Sequence, residues 1–282
     1  MLRSAILSRC TSAVAASLLA AGTTAAQTVK PQRVTYQNGA LTLVADVYKP
    51  DGPGPFPLVL WNHGRAKAPE RSEFDPVGAA FVGAGYVMVA PLRRGHGDSQ
   101  GTWIGAAVDS VQRRFGADSA TRTLTRLLET EQLDDQLAGL AAAKRLPFVD
   151  STRVVVAGCS LGGVESLLGA ERGVGYRAGY AISTAAMNWD NNPSLQARLL
   201  QTVARINVPF RMIQPPKDAS VQPVLALAAE ARRLHKATFV ARVAPATMPD
   251  SEQVHCFGGP AGMHNWFPAA VALFDSVVGR TK

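Results

Sequence analysis

The chain has 282 residues, 47% hydrophobic and 18% charged, with 25 glycines and 18 prolines. That is enough apolar material for a full core, and it excludes a disulfide-stapled miniprotein, a disordered tail and a fibrous repeat. The formal charge of +8 is spread over scattered lysines and arginines, so a solvated surface is expected rather than a nucleic-acid-binding face.

The N-terminus carries Arg3 and Arg9, an apolar run from Ala13 to Ala21, and small residues before Gln27. This pattern predicts a cleaved secretory signal peptide over residues 1–26, with the cut at Ala26/Gln27. Export to the periplasm or the medium is expected. A mitochondrial presequence is the alternative, because no acidic residue precedes Asp46. The apolar run is shorter than the about 20 residues of a membrane span, and no lipobox surrounds Cys10, so no stable membrane anchor is expected. Without residues 1–26 the chain keeps 27 basic and 21 acidic side chains, a net charge of +6. The densest basic group, Arg113, Arg114, Arg122 and Arg126, lies in a segment that reads as solvated helix. Cys159 and Cys256 remain; an oxidising compartment would permit them to pair, and the sequence leaves that open.

From residue 27 onward, one domain is expected, since no Gly/Ser-rich or Pro-rich linker interrupts the chain. The YQNGALTL segment carries Asn38 and Gly39 between extended runs, a hairpin signal. Strands are predicted at Leu41 to Tyr48, Pro57 to Asn62, Tyr86 to Ala90, Arg153 to Gly158, Gly179 to Ser183, Phe210 to Gln214 and Thr238 to Val243, the last five parallel. Helices are predicted near Asp75 to Val82, Leu133 to Lys144, Leu161 to Glu171, Val221 to Leu234 and Phe267 to Val278. Leu133, Leu137 and Leu140 place one buried stripe on the second of these. The alternation implies an α/β fold, a mostly parallel central sheet with helices on both faces. Residues 101–130 and 244–263 look least regular and are expected to form loops or a small cap over a site.

Chemistry concentrates at RVVVAGCSLGGVES, where a β-branched run ends in Gly158, Cys159, Ser160, Leu161 and Gly162 before a helix. This is GxSxG in the context of strand, sharp turn and helix, which marks Ser160 as a nucleophile. Glycines two residues to either side let neighbouring backbone approach, and the helix start directs the Leu161 amide at a developing oxyanion. Earlier, LVLWNHGRA ends a strand in His63, Gly64 and Arg65; the backbone N–H of Arg65 is the expected second oxyanion donor, and His63 reads as a structural histidine bonded to loop backbone. In YVMVAPLRRGHGDSQG the glycine spacing does not fit a phosphate-binding GxGxxG, and Asp98 reads as a loop hydrogen-bonding residue. Cys159 reads as a small buried residue pointing into the core rather than a redox group. His255, Cys256 and His264 match no standard zinc spacing, so no metal is expected.

Together the HG after one strand, RRGHGDSQG after the next, GCSLGG at the elbow and GMHNWF near the end resemble the α/β-hydrolase fold. Within it the chain is most similar to the dienelactone hydrolase family, which merges with prolyl oligopeptidase-like peptidases and acyl esterases. The resemblance spans Tyr48 to Val278. Dienelactone hydrolases proper place cysteine at the elbow centre, where this chain has Ser160, so the dienelactone substrate itself is not carried over. The family's order of nucleophile, acid and histidine implies that the base follows the acid. His264 in GMHNWF matches the family's histidine position before the last helix and is preferred to His255, which reads as part of an inserted loop. His235 in RRLHK reads as solvated. Asp218 in PPKDASV resembles the family's acid loop, with Asp190 in MNWDNN as the alternative.

The implied activity is that of a serine hydrolase cleaving a small carboxylic ester or lactone through an acyl-enzyme, with Ser160, Asp218 and His264 as the triad and no cofactor. Trp103, Trp189 and Trp266 could line an apolar acyl pocket. The alternatives are a serine peptidase, which usually carries a gating domain that this length does not accommodate, and a non-catalytic hydrolase-fold binding protein.

Overall fold

The computed structural model describes residues 30–69 and 71–280; the signal peptide expected over residues 1–26 lies outside them. Strands β1 (Gln32–Asn38) and β2 (Leu41–Tyr48) form the anticipated hairpin, closing Asn38 against Leu41 with Gly39 at φ 58°. Next come β3 (Phe56–Asn62), α1 (Arg71–Gly83) and β4 (Val87–Leu92), then α2 (Ile104–Phe115), α3 (Ala117–Leu127), a π-turn at Leu128–Gln132 and α4 (Leu133–Ala143). The second half alternates regularly: β5 (Val149–Cys159), α5 (Leu161–Glu171), β6 (Tyr176–Ile182), α6 (Pro193–Arg205), β7 (Phe210–Gln214), α7 (Gln222–Arg233), β8 (Phe239–Val243) and finally α8 (Phe267–Val278).

The eight strands form one sheet in the order β1-β2-β4-β3-β5-β6-β7-β8, antiparallel at β1–β2–β4 and parallel from β4 onward. β5 runs as a continuous valine-rich stretch because both its faces are covered: Val154, Val155 and Val156 are fully buried. On one face, Phe74, Val77 and Phe81 of α1 pack with Phe274 of α8; on the other, Leu140 of α4, Val164 and Leu167 of α5, Leu199 of α6 and Leu227 of α7 share a second core. The order reverses at β3, whose neighbours are β4 and β5. Loops leaving the carboxyl ends of β3 and β5 therefore diverge and leave a crevice, the usual location of a site in an open α/β sheet.

Most of residues 101–130, expected to be irregular apart from the solvated helix around Arg113 to Arg126, form helices α2 and α3. Their apolar positions are sparse but periodic: Ile104 and Val108 on α2, and Ala120, Leu124 and Leu127 on α3, are buried while the intervening charged residues face solvent. Helix α6 was also not anticipated. Its start is nonetheless written locally, with Asn192 capping the Leu195 amide at 3.0 Å and Pro193 in the first turn. The stretch 244–263 is irregular as expected.

Glu165 of α5 and Arg93, just past β4, are buried in the same region, and neither Glu165 oxygen is hydrogen-bonded to a protein group among the described residues. Burial pushes the Glu165 carboxyl up to about 8, against the pull of Arg93. At neutral pH the folded chain thus holds a proton that the unfolded chain has lost, so stability falls as pH rises from about 4 to about 8. Glu165→Gln, which cannot ionise, is expected to be near neutral at pH ~4 and to stabilise by roughly 1–3 kcal/mol at pH ~7. Chemical denaturation at the two pH values checks this; a variant that is destabilised at the higher pH would mean that Glu165 serves there as an ionised partner of Arg93.

Candidate active site

At the end of β5 the chain changes from strand to helix in one residue. Ser160 sits at φ 62°, ψ −124°, a conformation an L-residue adopts only when its surroundings enforce it. Its N–H donates to Ile182 O of β6 at 2.9 Å, and its carbonyl accepts from the Gly163 and Val164 amides at 3.0 and 3.4 Å as α5 begins. The two flanking glycines are required by contact. A Cβ on Gly162 would lie 1.9 Å from Asn62 O, and one on Gly158 would lie 2.5 Å from Gly162 O. β3, β5 and α5 close together only without those side chains, and the serine is left standing at the crevice.

Asp218, in the loop after β7, has a fully buried side chain whose Oδ1 accepts from the Ala219 amide at 2.8 Å and from His255 Nδ1 at 2.8 Å. His255 is 22% exposed and lines one cavity with Ser160. With Nδ1 engaged by the carboxylate, Nε2 is the nitrogen available to the serine hydroxyl.

The histidine in this position is His255, not the expected His264. His264 Nδ1 donates to Ala261 O at 3.1 Å, its Nε2 lies 3.2 Å from Glu252 Oε2, its side chain is 63% exposed, and it borders a separate groove with Arg242 and Thr247. The reason lies in the backbone between them. Cys256, Phe257 and Gly258 are consecutive left-handed residues at φ 52°, 58° and 68°, followed by Gly259 at φ 82°. This turn, anchored by the fully buried Phe257, reverses the chain after His255 and carries His264 to the surface. Asp218 thus faces His255, whereas Asp190 is exposed and accepts from Ser220 Oγ at 2.8 Å. His235 is exposed beyond α7, and Asp98 forms an ion pair with Arg33.

Cys159, read from sequence as a small core residue, is half-buried and forms a disulfide with Cys256 across a Cα–Cα distance of 6.2 Å. The bridge joins the residue before Ser160 to the residue after His255, and thus ties the segment bearing the imidazole to the elbow. Cys256 N–H adds a hydrogen bond to Ser183 Oγ at 2.8 Å. The adjacency of each cysteine to a candidate residue, Cys159–Ser160 and His255–Cys256, is the sequence signal that would have selected His255.

The cavity has a volume of about 420 Å³; besides Ser160 and His255 it is lined by Trp61, Phe74, Val77, Ile182, Met263 and Trp266 on an apolar side, with Asn62, Arg65 and Glu73 among its polar groups. Trp61 and Trp266 stack with centroids 5.7 Å apart. Trp266 thus belongs to the pocket as expected. Trp189 is buried in the core on the other face, and Trp103 donates its Nε1–H to Arg65 O at 2.9 Å and packs against that core. The loop after β3 lies against the elbow: a Cβ on Gly64 would meet Ser160 Cβ at 3.6 Å, and Arg65 borders the same cavity. His63 is buried, with Nδ1 2.9 Å from Gly64 O, the structural role expected of it. Burial first, and the Arg93 charge second, hold its pKa well below the usual imidazole range.

No helix among the described residues is long and apolar enough to cross a membrane. No protein-family model and no curated protein matches the sequence. Solved structures do match. An acylaminoacyl peptidase of Pyrococcus horikoshii aligns with a TM-score of 0.66 at 16% identity, covering 91% of this chain and 43% of its own, so the chain spans less than half the length of that protein. An esterase of Pyrococcus furiosus aligns with a TM-score of 0.65 at 16% identity over 89% of this chain and 94% of its own. A Klebsiella pneumoniae protein described as a dienelactone hydrolase aligns with a TM-score of 0.63 at 16% identity over 87% and 98%. The sheet order, the strand-turn-helix at Ser160 and these likenesses agree: the chain has the α/β-hydrolase fold.

Proposed function

We propose that this protein is a serine hydrolase that cleaves carboxylic esters or lactones through an acyl-enzyme, with Ser160 as nucleophile, His255 as general base and acid, and Asp218 as the group that orients the imidazole. The observation that carries this is the 2.8 Å contact between His255 Nδ1 and Asp218 Oδ1 beside an elbow serine in one shared cavity. Ser160 Oγ attacks the substrate carbonyl while its proton passes to His255 Nε2. Asp218 holds the tautomer and stabilises the imidazolium, and the proton then goes to the leaving alcohol. Water repeats the sequence on the acyl-enzyme and frees the acid. The amides of Leu161 and Arg65 hold the tetrahedral oxyanion, at about 3 kcal/mol per donor. Stacked indoles and aliphatic walls at the cavity favour an apolar or aromatic group on the ester.

Export is part of the same proposal. A disulfide is the chemistry of an oxidising compartment, which supports secretion; fractionation of the expressed full chain, with the mature N-terminus sequenced, tests it.

Ser160→Ala and His255→Ala should each lower kcat roughly a thousandfold or more, and Asp218→Asn should lower it strongly, whereas His264→Ala and Asp190→Asn should leave it within a few-fold. Steady-state kinetics on p-nitrophenyl esters of graded chain length, set beside aminoacyl anilides, reads all of these. Faster turnover of the anilides would make the protein a peptidase, and a wild-type chain that neither turns over nor takes up a fluorophosphonate at Ser160 would make it a binding protein.

Opening the Cys159–Cys256 bond with a dithiol reductant transfers two electrons and two protons and leaves two thiols. Because that bond tethers the His255 segment, reduction should lower kcat by roughly tenfold or more, since small misplacements of catalytic groups are costly. It should also cost about 2–4 kcal/mol of stability. Thiol titration alongside kinetics and denaturant unfolding checks both effects, and full activity in the fully reduced protein would show that the loop holds its place without the bridge.

A further inference from the structure

One buried side chain bonds the loop that carries the Arg65 amide. Arg93 is 1% exposed. Its Nη2 donates to His63 O at 2.8 Å and to Gly64 O at 3.0 Å, and its Nε donates to Gln132 Oε1 at 3.1 Å. Gln132, itself buried, closes the π-turn at Leu128–Gln132, an irregularity that places the amide group under the guanidinium. The main-chain N–H of Arg93 donates to His63 Nε2 at 3.2 Å. That bond puts the ring proton on Nδ1, which donates to Gly64 O at 2.9 Å.

Gly64 O therefore accepts from both Arg93 and His63 on the buried side of the loop. The Gly64–Arg65 peptide is trans, and in a trans peptide the carbonyl and the following N–H point in opposite directions. Fixing Gly64 O toward Arg93 thus turns the Arg65 N–H away from the core. Arg65 and Ser160 line one cavity, and a Cβ on Gly64 would lie 3.6 Å from Ser160 Cβ. A buried guanidinium is often no more stabilising than a well-packed apolar side chain, which points to the loop it bonds as the reason for its presence here.

We propose that Arg93, together with His63, is a positioning residue that aims the Arg65 amide at the substrate oxyanion. The inference rests on the serine-hydrolase proposal. It also implies that the donor is held in place before substrate arrives, the condition under which a fixed dipole stabilises developing charge without reorganising.

The test uses the full-length oxidised protein, an ester substrate, a trifluoromethyl ketone that forms a tetrahedral adduct with Ser160, and the carboxylate product, which binds without forming one. Arg93→Met is expected to lower kcat roughly 10- to 100-fold with KM within about twofold. Ketone affinity should weaken by a similar factor while product affinity stays unchanged. Arg93→Lys should recover only part of the loss, because an ammonium cannot fork onto two carbonyls. Should Arg93→Met fail to fold, His63→Phe decides the question, since it removes the second donor to Gly64 O and leaves Arg93 in place; a smaller loss of the same kind is expected. Folded variants that keep kcat and ketone affinity within about twofold of wild type overturn the positioning role. Absence of fluorophosphonate labelling of wild-type Ser160 overturns the hydrolase proposal instead.

Discussion

The backbone of Ser160 is the constraint on which the rest of the site depends. A residue at φ 62°, ψ −124° between strand and helix is stable only if its neighbours supply contacts that an ordinary turn would not need. They do so through the Ser160–Ile182 hydrogen bond, the first-turn amides of α5, and a contact between Gly162 and Asn62 so close that no side chain fits between them. The same packing sets the ends of β3, β5 and β6 side by side. The serine, the Gly64–Arg65 loop and the wall formed by Ile182 are therefore consequences of one local geometry.

Against this rigid floor, the imidazole is brought in by a long irregular segment that follows the last strand. Such a segment has few ladder hydrogen bonds to hold it, and here other restraints take their place. Phe257 is buried, Cys256 N–H is bonded to Ser183, the Cys159–Cys256 bridge is covalent, and the Asp218 carboxylate receives Nδ1. Three consecutive left-handed residues, two of them not glycine, show how far the backbone departs from its preferred conformations to present His255. This division of labour, with scaffold strands fixing the elbow serine and loops supplying the groups around it, follows from where an open α/β sheet leaves its crevice.

Polar groups beneath the site follow a related logic. His63 and His96 are kept neutral by burial next to Arg93, and Glu165 is driven toward its protonated form. The result is a set of donors and acceptors in a buried region, where each hydrogen bond has greater orienting force than it would at the surface.

The sequence alone determined whatever depends on near neighbours. The elbow was readable because GxSxG, a β-branched run before it and an apolar helix after it are all local. So were the Asn38–Gly39 hairpin, the bounds of α5 and α8, and the placement of Asp218 directly after a strand. Helices α2 and α3 were read only in part, as a solvated helix carrying Arg113 to Arg126 within a stretch expected to be irregular, because charged residues between Ile104 and Leu127 hide a sparse apolar period that only the burial of one face makes visible. Which of His255 and His264 faces Asp218 could not be read locally. Both follow the acid, and the one nearer the last helix fitted the familiar spacing. What decided it was a left-handed turn and a bond between cysteines 97 residues apart. Chain order records which residues precede which, but a reversal of the backbone changes which face of a loop meets the sheet, and only the folded chain contains that reversal.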